Sequence, residues 1–306
     1  MTLKDDLQAI VKEADMDASI AVWHIESGEK TDVNGNGSFP MASVFKIPVI
    51  AAAGQQLKQG KFTLNDRILL KEEDKSAGSG ILQFFEAGVN PTFRDLLTLM
   101  MIISDNTATD MNVALLGGAL AIERYMHELG LNDIYLKMDC KNLLKGLWPA
   151  EIQDQPLEVI KEWSKDHDIV RDGVTFSRGS DNNVSTALAM NELVYKLFDG
   201  QIVEGELKDE LLGIMYKQQL NQRLPRFLPA GVDFAHKTGT IGGVCNDSGV
   251  MTIGENNHAI VTAFTWWNDE PYWNKPQERI QRVFEVESAI GKVGRLVYDH
   301  YSTYSA

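Results

Sequence analysis

Apolar residues recur along this chain with two different periods, and the change of period divides it into sections. Leu3, Leu7, Ile10 and Val11 share one helix face behind a capping box formed by Thr2 and Asp5. Ser19 to Ile25 is an apolar run bounded by turn residues and reads as a strand. Lys30 to Val33 reads as its hairpin partner across Ser27-Gly28. An Ala-rich helix follows, starting near Ser43 and ending at Gly60. From Phe62 to about Gly130 the spacing is helical, with a loop at Asp74 to Gly80. Thr92 and Asp95 make a second capping box, opening a helix through Leu96, Leu97, Met100 and Ile103. That helix stops at Ser104-Asp105-Asn106. The next starts with Thr107 and runs to Gly117-Gly118, and another covers Ala121 to Leu129 before Gly130.

Residues 139–183 hold Pro149, Pro156, Gly173 and Gly179 and show no clear period beyond a short helix at Leu157 to Lys165. A stretch this long reads as a lid or an insert. Helical spacing returns from Ser185 to Phe198 and from about Leu207 to Leu220. Val232 to Thr238, Asp247 to Ile253 and His258 to Trp266 alternate as three strands, and Gln277 to Tyr304 is a terminal helix. Strands near both ends with helices between them predict an α/β (α+β) fold. One antiparallel sheet with flanking N- and C-terminal helices would come from residues 1–60 and 200–306. An all-helical domain would cover 61–199 and carry the insert, with a site expected in the cleft between the two.

The 306 residues are 44% hydrophobic, enough for a large core. A net charge of -14 argues against nucleic-acid partners, which need clustered Lys and Arg. No apolar run has the length of a membrane span. Met1 to Asp6 lacks a basic and apolar leader, which leaves the cytoplasm or export with a leader removed. Cys140 and Cys245 stand far apart and read as buried free thiols. No His or Cys spacing suggests a metal site, so no metal or cofactor is expected. The expected partner is a small-molecule substrate, and the expected state a monomer.

Candidate chemistry centres on Ser43-Val44-Phe45-Lys46. At a helix start, Lys46 lies over the same face as the Ser43 hydroxyl. A desolvated lysine can take the proton that a serine must lose to become a nucleophile. Helix N-terminal amides favour the developing oxyanion. A second Ser-x-x-Lys, Ser27 to Lys30, lies in a turn with no following helix and reads as solvated. Two further motifs complete a set: Ser104-Asp105-Asn106 and Lys237-Thr238-Gly239. The competing Ser180-Asp181-Asn182 lies in the irregular region, whereas Ser104 sits between two strongly helical segments.

In these three motifs, in Ser76-Ala77-Gly78-Ser79-Gly80 and in Ser185-Thr186-Ala187, the chain resembles class A β-lactamases and their penicillin-binding relatives. The resemblance spans nearly the whole chain. It implies acyl transfer through Ser43, with Lys46 taking the proton and Ser104, positioned by Lys237, protonating the leaving nitrogen. It also implies an oxyanion hole from the amides of Ser43 and Thr240. Asn106 would bind a substrate amide, and Thr238, Gly239 and Thr240 the substrate carboxylate. The substrate so implied is a β-lactam, or a peptide or ester carrying a carboxylate.

Two departures bear on mechanism. The family's Glu-x-x-Leu-Asn motif, whose glutamate activates the deacylating water, is absent. Aligning Leu136 to Asp139 with the approach to that loop puts Asn142 in the glutamate's place. Asp139, Glu151 and Asp154 are candidate substitutes. Residues 241–253 also lack the arginine that many family members use for the substrate carboxylate, which leaves Arg223 or Arg226 to supply that charge. Asp247 would oppose it if it faced the cleft.

Overall fold

A computed structural model describes residues 2–155 and 157–304; Met1, Pro156, Ser305 and Ala306 lie outside it. Helix α1 (Leu3–Glu13) opens on the expected box: Thr2 Oγ1 accepts the Asp5 amide, and Asp5 the Thr2 amide. Strands β1 (Asp17–His24) and β2 (Lys30–Val33) form the expected hairpin. A short strand β3 (Ser38–Pro40) leads into a 3-10 turn over Ala42–Phe45 and helix α2 (Lys46–Lys58). Helices α3 (Phe93–Ile102), α4 (Asn106–Leu115), α5 (Ala119–Glu128), α6 (Cys140–Lys145) and α7 (Leu157–Trp163) follow. Strand β4 (Val184–Thr186) and helices α8 (Ala187–Phe198) and α9 (Gly205–Tyr216) come next. Strands β5 (Asp233–Ile241), β6 (Val244–Gly254) and β7 (Asn257–Trp266) precede helix α10 (Pro276–Tyr301).

The sheet runs in the order β2-β1-β7-β6-β5, antiparallel throughout, so the two chain ends meet at the β1–β7 pairing. Alternation along each strand splits its side chains between two cores. Ile20, Val22 and Phe234 join Leu3, Leu7, Ile290 and Val293 beneath α1 and α10. Ala21, Ala235 and Val250 face the larger core of α2, α3, α4, α8 and α9. β3 and β4 pair outside the main sheet, two strands that the sequence pattern hides because each is three residues long.

The helical spacing read from Phe62 onward does not give an α-helix before α3. Residues 59–92 form loops and 3-10 turns, bent at Gly60, Gly78, Gly80 and Gly88, all with positive φ. The stretch 139–183 is the reverse case, an ordered path with its own helices. From α6 it crosses to the β5–β6 turn, where the Phe176 ring lies so close that a Cβ on Gly242 would come within 2.8 Å of it. Arg171 then meets Asp269, just beyond β7, with two hydrogen bonds of 2.8 and 3.1 Å.

Asp269 is only 2% exposed, and its removal leaves Arg171 and Arg279 without their shared acceptor. Arg171 keeps Asp168 and both arginines reach solvent, so Asp269→Ala should destabilise the protein by about 1.5 kcal/mol, the worth of a hydrogen bond to a charged group. Glu162→Ala, which breaks the solvated Lys165–Glu162 pair, should cost under about 0.5 kcal/mol. Denaturant unfolding of both variants checks this, and similar losses would contradict it.

Candidate active site

The Ser43 turn is held in an uncommon backbone shape. Ala42 has φ of 44°, a left-handed value that costs a residue with a Cβ on the order of 1 kcal/mol or more. The sheet holds that shape from behind: Asn246 Nδ2 on β6 donates to Pro40 O at 2.8 Å and Met41 O at 3.1 Å, and Asn246 Oδ1 accepts the Thr265 amide. Gly239 lets β5 close on the same turn. A Cβ there would lie 2.5 Å from Met41 O and 3.0 Å from Ser43 N.

Ser104 is the second strained residue, with φ of 59°. Its turn is wrapped by the glycine loop. Ser79 Oγ donates to Ser104 O at 2.7 Å, and the Asn106 amide to Ser79 O at 3.0 Å. Asp105 caps α4 through the Ala108 amide and accepts the Ile81 and Leu82 amides as well. The cap is thus Asp105, and Asn106, already inside the helix, lines the cleft while its Nδ2 donates to Ala77 O at 2.9 Å.

Lys46 joins the two turns. It is fully buried, and its Nζ donates to Ser104 O at 2.8 Å, Ser104 Oγ at 3.0 Å and Asn106 Oδ1 at 3.0 Å. Burial pushes its pKa down, against the opposing charges of Asp110 and Asp105. Lys237 is also fully buried. Burial first, then the charge of Lys46, push its pKa far down. Its Nζ donates to Thr238 O at 2.8 Å. The hydrogen bond to Ser104 thus comes from Lys46, not from Lys237 as the motif pattern implied.

These elements enclose a cleft of about 280 Å³ lined by Ser43, Ser79, Ser104, Asn106, Thr238 and Thr240. Its apolar wall comes from Leu143, Leu144, Leu220 and Ile241. Arg223, reached by sequence reasoning only as an alternative, is buried behind β5. It donates to Gly239 O at 2.7 Å, to Asn246 O at 2.6 Å and to Thr240 Oγ1. Glu287 pairs with Arg223 at 3.4 Å and with Arg226 at 3.9 Å, and Arg226 also lies over the Phe284 ring. Asp247 does not face the cleft; it accepts from the Leu224 amide and pairs with His236 at 2.8 Å.

Asn142 is corrected. It is exposed on α6 and absent from the lining, while Cys140, Leu143 and Leu144 of the same helix face inward. Asp139 caps α6 through the Asn142 amide, and Asp154 pairs with Lys145 in solvent. No carboxylate lines the cleft among the described residues. Sequence reasoning also missed Asn246, Ser79 and Asp105, whose roles depend on backbone groups distant in sequence.

A serine-bearing helix start set against a sheet edge, with two buried lysines and a second serine beside it, fits a serine hydrolase of the β-lactamase/transpeptidase fold. The chain belongs to the β-lactamase enzyme family, whose model matches residues 2–301. β-Lactamase VEB-1 of Pseudomonas aeruginosa is 23% identical over 86% of this chain and 81% of its own length. β-Lactamase PSE-4 of the same organism is 22% identical over 99% and 91%. Among solved structures, a β-lactamase from Sphaerobacter thermophilus DSM 20745 is 27% identical over 97% of each chain, with a TM-score of 0.76. PBP-A is 24% identical over 98% of this chain and 95% of its own, with a TM-score of 0.75.

Gly239→Ala tests the close approach of β5 to Ser43. The new methyl must push strand and turn apart. Acylation of Ser43 by an active-site-directed reagent should fall on the order of 100-fold, the effect of a displacement near 1 Å. Intact-mass time courses read this out, and labelling at the wild-type rate would contradict it.

Proposed function

We propose that this protein is a serine acyl hydrolase working through an acyl-Ser43 intermediate, with β-lactam hydrolysis as its leading activity. The observation that carries the reading is the convergence of Ser43, Ser104, Asn106, Thr238 and Thr240 on one cleft, with buried Lys46 bonded to Ser104 and Asn106 behind it. Unprotonated Lys46 takes the Ser43 proton, directly or through Ser104. The Ser43 oxygen attacks the carbonyl carbon, and the amides of Ser43 and Thr240 hold the oxyanion. Ser104 passes a proton to the departing nitrogen. Asn106 holds a substrate amide. The hydroxyls of Thr238 and Thr240, with Arg223 behind Thr240, hold a carboxylate.

A β-lactam or penicillin should therefore leave one adduct, on Ser43 and absent from Ser43→Ala, by intact-protein mass spectrometry. Ser104→Ala should slow lactam opening by about 10² or more while sparing an activated ester, whose leaving group needs little protonation. Equal losses for the two substrates would contradict the role given to Ser104.

A second feature supports slow deacylation; the alternatives are a D-alanyl peptidase or esterase on the same fold, or a penicillin-binding sensor that acylates without turnover. The wall of α6 offers Cys140, Leu143 and Leu144, and burial pushes the Cys140 thiol's pKa far up. It therefore stays protonated. Among the described residues Lys46, bonded to Ser104 and Asn106 of the cleft, is then left to activate water, and loss of a dedicated base costs about 10² to 10⁴ in rate. Stopped-flow hydrolysis of a chromogenic cephalosporin should show a burst of one equivalent and then a slow phase. Asn142→Glu, pointing to solvent, should leave that phase unchanged, whereas Leu144→Glu should quicken it. Fast linear turnover would reject slow deacylation.

A further inference from the structure

Arg223 stands on the connection from α9 to β5, and two buried residues of the sheet fasten that connection on either side of it. His236 on β5 and Asp247 on β6 meet through Nδ1 and Oδ1 at 2.8 Å. His236 Nε2 meets Asn221 Oδ1 at 3.0 Å, two residues before Arg223. Asp247 Oδ2 accepts the amide of Leu224, the residue after it, at 3.1 Å. One His–Asp pair therefore holds both flanks of the arginine.

Both ring nitrogens of His236 face oxygens, and the partners decide what each nitrogen carries. The Asp247 carboxylate can only accept. Asn221 Nδ2 donates to Gln218 O at 3.3 Å, which turns its Oδ1 towards the ring. A neutral imidazole has one N–H and would set a lone pair against one of these oxygens. The doubly protonated ring satisfies both, and it gives the buried Asp247 charge the partner that burial demands. The Phe234 ring, stacked at 4.9 Å, covers the face of the imidazole.

We propose that His236 is a positioning residue for carboxylate recognition: its imidazolium, shared between Asp247 and Asn221, clamps the turn that carries Arg223, and Arg223 in turn orients Thr240 at the cleft. This rests on the acyl-Ser43 reading above, in which Thr240 with Arg223 behind it holds the substrate carboxylate. Arg223 donates to Gly239 O, Asn246 O and Thr240 Oγ1 and pairs with Glu287 of α10 at 3.4 Å. Its bond to Thr240 occupies a lone pair of that hydroxyl and leaves the hydroxyl proton for an acceptor in the cleft.

The charged and titratable groups around the ring come from four elements. β6 contributes Asp247 and the Cys245 thiol, which burial pushes up to about 11. The Arg223 turn contributes its guanidinium, with Glu287 of α10 beyond it. α9 contributes Tyr216, whose hydroxyl meets Thr252 Oγ1 at 3.2 Å. Lys237, next on β5, turns to the opposite face of the strand. When the ring loses one proton, either Asp247 loses its donor or Asn221 must turn over and give up Gln218. The clamp is thus complete on the acid side of that step and weakened on the alkaline side.

Benzylpenicillin and its methyl ester differ only in the carboxylate, and intact-mass time courses give the acylation rate of each. The ratio of the two rates cancels titrations that both share, that of Lys46 included. His236→Gln should lower this ratio on the order of tenfold, the worth of a hydrogen bond to a charged group, with the ester affected far less. Equal losses for both probes would overturn the proposal and leave His236 a structural tie. Nitrogen NMR of the wild-type ring should show both nitrogens protonated at neutral pH, and a singly protonated ring would overturn it as well. Asn221→Ala removes the acceptor at Nε2 from an exposed position. The ring should then lose its proton about one pH unit lower, and the rate ratio should fall at that lower pH. If His236→Gln does not fold, this variant decides, and a ratio that ignores the protonation of the ring overturns the proposal. Failure of both probes to label Ser43 in the wild type would instead refute the acyl-enzyme reading, so the two failures are distinguishable.

Discussion

The burial of Lys46 is the constraint on which the site depends. An ammonium removed from water costs several kcal/mol unless each proton finds an acceptor. Lys46 has three donors and meets three acceptors, two on Ser104 and one on Asn106. Those contacts explain why the Ser104 turn must stand where it does. They also set the chemistry. A neutral amine keeps two N–H groups and gains a lone pair, so on deprotonation one acceptor is released. A backbone carbonyl cannot reverse its role, but the Ser104 hydroxyl can turn and donate into that lone pair. Ser104 is thus the one of these acceptors whose side chain can follow a change of charge on Lys46.

Holding that lysine against two left-handed residues requires rigid surroundings, which the sheet and the glycine loop supply from opposite sides. Ala42 is fixed through Asn246, a buried β6 side chain whose amide serves Pro40 and Met41 and whose oxygen serves Thr265. Ser104 is fixed through Ser79 and through Asp105, which accepts three backbone amides. In each case the strain is local and the bonds that hold it come from elements far along the chain, the usual arrangement when a backbone outlier serves a site.

That division also explains which parts were legible in the sequence. Hairpins, capping boxes and the long helices were readable because their causes lie within a few residues: Thr2 with Asp5, Thr92 with Asp95, alternation along β6 and β7. The three motifs could be picked out because each spans only three or four residues. Residues 59–92 misled because their apolar positions serve loops packed on other helices, so spacing alone suggested a helix. Asn142 misled for a related reason. Alignment by motif fixes position along the chain, but a six-residue helix turns about 100° per residue, so an error of one or two positions moves a side chain from cleft to solvent. Arg223 could be suspected from charge, yet its seat behind β5 follows only from the path of the chain after α9.

Among the described residues no acid lines the cleft, although the chain as a whole is strongly acidic. Asp105 and Asp110 come nearest, and both already serve as acceptors for backbone amides that order the walls. A carboxylate free to receive a proton from water would need to face the cleft with lone pairs unoccupied, and in this apolar wall it would meet Leu143 and Leu144, which offer no donor to stabilise its charge. The same burial that lowers the pKa of Lys46, and so fits it to receive a proton, would penalise an ionised acid placed beside it without donors. Burial without charge and burial with charge are therefore divided between different residues here: a lysine whose ammonium form desolvation disfavours, and aspartates whose carboxylates are held by backbone amides.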